Sequence, residues 1–590
     1  MNRPAGGIGL PAFMKRMMMT GFLLRAALAT LFCGSLLTPG AQAYEQSEAS
    51  LSGNYLAGRS ASKLRDYGIA SGFLANALKT DADNPLLIER VFLLELSEGN
   101  FEAAEEYATK VLGFNSQQRM ARIVLGLRDF RARHYADARR NFQAASYTPV
   151  GELTSALLIA WAHAGEGELN LALKALDRLD SNESFVNFKS LHSGLISDYL
   201  GNAIRAEASY RKAYDDAGTS LRVVQAYGNF LERNNRAPDA QKIYKAFIAG
   251  GDDNPLIQDA LDKSLKGLKP QAFVPTPAAG AAEALFSLAT AMTDDQNIDI
   301  ALAYARLALS FGADKPVMQT LLGDTYEDMR QYERAIEAYA LVPEDSPLRI
   351  NAEMEIAVNL QRLERKDEAL VKLNALIERD PTNYDAIVTL GNIYRNNEDY
   401  ANASRVYDKA IALITEPVPA QWRVYYYDGI AHERLKQWDI AEKSFRKALE
   451  LSPDEPMVLN YLGYSMIEKK INLAEAVDMV KKAVELRPND GYIIDSLGWA
   501  YFQLGDYEQA VTSIERAVEL LPADPIIAEH LGDAYWRVGR KLEAQFQWQH
   551  AKDNKPEPDD LKRIEGKLRD GLPAEVPVTP AQNATGQSNG

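Results

Sequence analysis

At 590 residues the chain is long enough for roughly three or four compact domains or for one long repeat array. Its 46% hydrophobic and 25% charged content is that of a folded protein and excludes global disorder. With 65 basic against 81 acidic side chains, a net charge of −16, six His and one Cys, it lacks the basic face of a nucleic-acid binder and the ligands of a zinc framework or disulfide scaffold.

The first element in chain order is an export signal. Lys15 and Arg16 precede an apolar stretch from Met17 to Leu37 broken only by Arg25, followed by Thr38-Pro39-Gly40-Ala41-Gln42-Ala43. This order of charge, apolar core and small-residue cleavage site predicts a signal peptide over 1–43 and a processed chain starting at Tyr44. The apolar run after Arg25 is about a dozen residues, short of the roughly 20 needed to span a bilayer. Bulky Phe32 stands before Cys33, where a lipoprotein signal carries a small residue, so Cys33 reads as part of the apolar core. Removing 1–43 takes away four cations and no acid, moving the net charge from −16 to −20. The expected location is the periplasm, with association to the outer membrane as an extension of it.

The remainder is periodic. Alanine recurs every 34 residues at Ala70, Ala104, Ala138, Ala172, Ala206 and Ala240, and a second series runs Ala301, Ala335, Ala369, Ala403, Ala441, Ala476, Ala510, Ala544. Twelve residues before each alanine, thirteen at Gly463, stands a small residue, such as Gly391, Gly429, Gly463, Gly498 and Gly532, with Phe92 the exception. A further Ala often follows seven residues later and Pro five after that, as at Ala517 and Pro522. Alanines seven apart share one helix face, and the earlier small residue lies on a preceding antiparallel helix. Bulky Tyr407, Phe445 and Trp548, four residues after the repeating alanine, are placed to fill the gap. Gly505-Asp506 and Gly539-Arg540 read as the turns between paired helices. One such pair cannot bury its own apolar face, so the units must stack.

The pattern resembles the tetratricopeptide repeat (TPR) family. The clearest unit is YIIDSLGWAYFQLGDYEQAVTSIERAVELLPAD, with Leu497, Gly498, Tyr501, Ala510, Ala517 and Pro522 on the family pattern. The resemblance implies an all-α fold, a right-handed TPR solenoid of about fourteen helix-turn-helix repeats in two arms. The expected order is an N-terminal arm over 44–267 with about six repeats, a Pro-rich linker over 268–281, and a C-terminal arm over 282–558 with eight. A capping helix with a charged outer face and a disordered tail follow over 559–590.

No Gly-rich phosphate loop follows a strand; Gly165-Glu166-Gly167 reads as an inter-helix turn. The six histidines are scattered, with no partner at metal-ligand or catalytic spacing. No catalytic set, cofactor or metal is therefore expected, and repeats leave no stretch for a catalytic domain. What remains is a binding surface. Counting −6, −3, +1, +4 and +5 from the small residue of each first helix selects a groove strip in the last repeats: Met457, Asn460, Tyr464, Ile467, Tyr492, Asp495, Trp499, Phe502, Trp536 and Arg537. In the N-terminal arm the same rule selects Met120, Phe130, Trp161, Phe188 and Tyr199. Such aromatic, Met and Arg residues anchor protein partners. Asn392, Arg395 and Asn396 come nearest to the carboxylate clamp of some TPR proteins, but Val388 stands where that clamp needs a cation.

The run Asn460-Tyr461-Leu462-Gly463-Tyr464, Asp495-Ser496-Leu497-Gly498-Trp499 and His530-Leu531-Gly532 resembles a bacterial envelope TPR family. Some of its members are lipoprotein adaptors that bring cell-wall hydrolases to carboxyl-terminal processing proteases. The resemblance implies a periplasmic adaptor with a protease and hydrolases as protein partners. The alternative is a structural scaffold for polysaccharide export or envelope assembly.

Overall fold

A computed structural model describes residues 50–573, apart from 219, 251–253, 293–296 and 313. The expected signal peptide, Cys33 and nearly all of the C-terminal tail lie outside the described residues. Among the described residues every regular element is a helix. Among the described residues no helix is long and apolar enough to cross a membrane.

The helices alternate as the 34-residue period predicts. Six antiparallel pairs run from Leu51–Lys63 with Tyr67–Thr80 to Leu221–Arg233 with Ala237–Ala249. A single helix, Pro255–Leu265, stands where the periodicity is interrupted. Eight further pairs start with Pro277–Ala291 and Ile298–Ser310 and end with Pro525–Arg537 and Lys541–Asp553, followed by one last helix, Pro558–Asp570. The fold is a TPR-type solenoid.

The glycines twelve residues before the repeating alanines are where paired helices touch. A Cβ at Gly391 would lie 2.5 Å from the Tyr407 ring, at Gly429 2.6 Å from Phe445, and at Gly532 2.5 Å from Trp548. Tyr407, Phe445 and Trp548 are themselves fully buried. The turn within each pair needs one residue in the left-handed region, supplied by Gly505 and Gly539 at φ 80° and 83°. Glu364, Glu398 and Lys436 adopt the same conformation without that freedom. First helices are started by side-chain caps: Asp490 and Asp524 each accept hydrogen bonds from two backbone N–H groups of the following turn.

The chain divides into two compact units, Leu37–Leu376 and Ile377–Gly590, with the division inside the helix Lys366–Arg379. The Pro-rich segment 268–281 therefore lies within the first unit and runs directly into its Pro277–Ala291 helix. Sequence periodicity could place a break at that segment, but it carries no information on what the following helices pack against.

Candidate binding surface

In the first unit, the inner face of the first helices is covered by the chain itself. The small side chains of the Pro277–Ala291 helix let it approach closely. Gly280 lies against the Trp161 ring, which occupies the space a Cβ would need. Trp161 is fully buried, and its Nε1–H donates to His192 Nδ1 at 3.1 Å. Burial pushes the His192 imidazole down to about 4, with Glu283 opposing, so it is neutral near pH 7. Arg222 donates to Glu283 on the covering helix through Nε (2.9 Å) and Nη2, with Phe273 and Phe286 against its guanidinium. Thr154 Oγ1 and Tyr304 Oη lie 3.1 Å apart, and Phe130 packs edge-on to Phe311.

Phe130 and Trp161, selected as groove residues, are thus in a core made by distant parts of the same chain, and Met120 is buried as well. Phe188 and Tyr199 keep partial exposure. The chain's own later helices lie against Phe130 and Trp161 on the selected helices.

In the second unit the strip separates into three groups. Met457, Asn460, Ile467, Tyr492 and Asp495 are buried between repeats. Trp536 and Arg537 are partly covered by the chain leaving the last helix: Gly571 lies against the Trp536 ring, and Arg537 Nη1 donates to the Pro573 carbonyl at 2.9 Å. Tyr464, Trp499 and Phe502 are partly exposed, as Trp536 and Arg537 are.

Trp499 and Phe502 form the most organised part of this strip. One helical turn apart, their rings stack at 4.7 Å and 6°. The other face of Trp499 lies on His530 of the next repeat, at 4.0 Å and 15°. Trp499 Nε1–H donates to Glu468 Oε1 of the preceding repeat at 2.5 Å, so its rotamer is held from both sides. His530 is in turn fixed by Asp495, 2.9 Å from Nδ1 to Oδ2. Burial alone would push the imidazole's pKa down, but the Asp495 carboxylate and its hydrogen bond outweigh burial and raise it. When protonated, the ring adds a cation–π component to the stack. His530 and Glu468 were not selected from sequence: His530 read as a packed or surface residue, and their contacts cross repeats 31 residues apart for one pair and 35 for the other.

Arg395 is also internal. It is 3% exposed and its guanidinium lies 3.8 Å from the centre of the Tyr427 ring, an arrangement unlike an open carboxylate clamp.

Comparison with known proteins agrees with this architecture. A TPR repeat model matches residues 498–539, and tetratricopeptide repeat models match 388–456 and 318–342. Over these segments the chain carries tetratricopeptide repeats. It is similar to a TPR repeat-containing protein of Pseudomonas aeruginosa, 26% identical over 192 residues, which is 32% of this chain and 31% of that protein. It also matches the general transcriptional corepressor ssn6 of Schizosaccharomyces pombe, 24% identical over 22% of this chain and 12% of that one. The match thus spans a third or less of either relative. Among solved structures, the Cut9–Hcn1 assembly of the APC/C aligns over 88% of this chain and 96% of that one, at 14% identity and TM-score 0.38. Yeast Tom70 aligns over 88% and 95%, at 14% identity and TM-score 0.31.

Proposed function

We propose that this TPR protein is a non-catalytic adaptor of the periplasm that presents the Tyr464–Trp499–Phe502 strip to protein partners. TPR repeats are protein-interaction scaffolds, and that coarse role is the firm base of the reading. The observation that carries the finer one is the Trp499–Phe502–His530 stack. Two large aromatic side chains are left partly exposed, with Trp499 held by Glu468 and stacked on His530, which Asp495 fixes. A preorganised aromatic pair loses little side-chain entropy on binding, which is what anchors of protein interfaces need. The charged, apolar and small-residue order of the N-terminus supports export. The resemblance to envelope adaptors supports a processing protease and its cell-wall hydrolase clients as partners.

The test is affinity capture from an envelope extract with the wild-type chain and with Trp499→Ala and Phe502→Ala. The reading expects a carboxyl-terminal processing protease and peptidoglycan hydrolases to be recovered together by the wild type. Both variants should lose them while keeping the wild-type far-ultraviolet circular dichroism. Recovery of polysaccharide-export machinery alone would replace the adaptor by an assembly scaffold built on the same repeats.

A further inference from the structure

Away from the aromatic strip, the second unit holds three potential ligand atoms converging on one point. Asp428 and His432 lie one turn apart on the helix Trp422–Arg434, and Asp408 comes from the preceding helix Tyr400–Ala412. Their ligand atoms are all within 4.8 Å of one another. His432 Nε2 is 3.3 Å from Asp428 Oδ1 and 3.8 Å from Asp408 Oδ1. Ligands about 2.1 Å from a tetrahedral ion are separated by about 3.4 Å, so the spacing suits one small cation.

A second, independent observation points to a ligand there. Asp428 and His432 are 2% and 5% exposed, and neither Asp428 Oδ1 nor His432 Nε2 makes a hydrogen bond. Their other polar atoms are engaged: His432 Nδ1 lies 2.6 Å from Gln437 Oε1, and Ser444 Oγ donates to Asp428 Oδ2 at 2.6 Å. Gln437 Oε1 can only accept, so Nδ1 carries the proton and Nε2 is the ring nitrogen that faces the carboxylate oxygens. A buried carboxylate oxygen and an imidazole nitrogen facing each other call for a positive charge between them, a proton or a metal ion. The outer contacts from Gln437 and Ser444 are the kind that orient metal ligands. The Asp408 side chain, 61% exposed, leaves one side open to solvent.

We propose that Asp408, Asp428 and His432 form a binding site for one divalent first-row transition ion, with zinc the best match to one imidazole and two carboxylates. Bound there, the ion would tie two consecutive repeats together beside their long connection, residues 413–421, which contains Pro417 and Pro419. The site escaped the search for ligand spacing because Asp408 is 20 residues before Asp428 on a different helix, leaving only a single i, i+4 pair legible.

The purified chain, stripped with a chelator, is titrated with zinc by calorimetry, and its melting is followed with and without the ion. One zinc per chain and a raised melting temperature are expected. Asp408→Asn and His432→Gln should each weaken zinc binding at least tenfold and abolish the rise. Asp408→Asn, at an exposed position, should leave metal-free melting unchanged, which separates ligand loss from misfolding. The exposed cluster His163, Glu166 and Glu168 is the control: His163→Gln should keep the site and the shift. Zinc binding that persists in both ligand variants, or is lost in His163→Gln instead, would overturn the assignment. So would a chain that takes up no zinc, leaving His432 and Asp428 a plain imidazolium–carboxylate pair.

Discussion

A methyl group added at Gly391 would sit 2.5 Å from the Tyr407 ring, and Tyr407 cannot retreat because it is fully buried, with its hydroxyl donating to Asn392 Oδ1 at 2.9 Å. Gly391→Ala should therefore destabilise the chain by about 1–3 kcal/mol despite the better helix propensity of Ala. Chemical denaturation measures this, and a neutral effect would show that the helix pair can part. These contacts were legible in the sequence because glycine and aromatic stand 16 residues apart in one repeat, and the periodicity exposes any such offset. Trp499 and Trp536 show the limit of that legibility. Trp499 stands one position beyond its repeat glycine and stacks between Phe502 and His530, whereas Trp536 stands four beyond and meets Gly571 at the end of the last helix. The segment that covers Trp536 lies outside its own repeat.

At the scale of the element, the last helix does more than shield an apolar end. The helix exposes Asp559, Lys562, Glu565 and Arg569, while Arg563 and Lys567 reach buried acids of the preceding repeat. Glu529, 1% exposed, accepts from Arg563 Nε and Nη2 at 2.6 and 2.7 Å and from Lys567 Nζ at 2.6 Å; Lys567 also reaches Asp533 at 2.5 Å. Burial would push the Glu529 carboxyl up, but these two cations hold it below the usual carboxylate range. Its contribution to stability is thus complete above the ordinary glutamate pKa and is lost as pH falls through the lowered value. Lys567→Met should cost about 3–5 kcal/mol at neutral pH, because it leaves buried Asp533 without its cation and takes one of two cations from Glu529. Lys552→Met, which breaks only the half-exposed pair with Glu565, should cost under about 1 kcal/mol. Equal losses in the two denaturation curves would refute the buried-pair account.

For the molecule as a whole, the covering of the first unit's inner face is the arrangement that most changes the functional reading. If the Pro277–Ala291 helix is a permanent part of that unit, its ion pair with Arg222 should matter to folding. Both partners are buried, so Arg222→Ala leaves Glu283 without its cation and should cost about 3–5 kcal/mol. A variant that melts like wild type would instead mean that the helix is a removable plug, and would return Trp161 to the list of accessible residues.

The amino-acid order alone determined the all-helical class, the six and eight helix pairs, the glycine–aromatic contacts and the turn glycines. Each depends on interactions within about one 34-residue period, and repetition multiplies a local signal many times. Which strip stays open was decided by tertiary structure. Thr154 meets Tyr304 across 150 residues, and Trp161 is covered by a helix over a hundred positions later. Burial of that kind depends on how successive small rotations between repeats add up, and no single repeat encodes that sum. The same holds for Asp408, Asp428 and His432, whose convergence exists only once two neighbouring repeats are stacked.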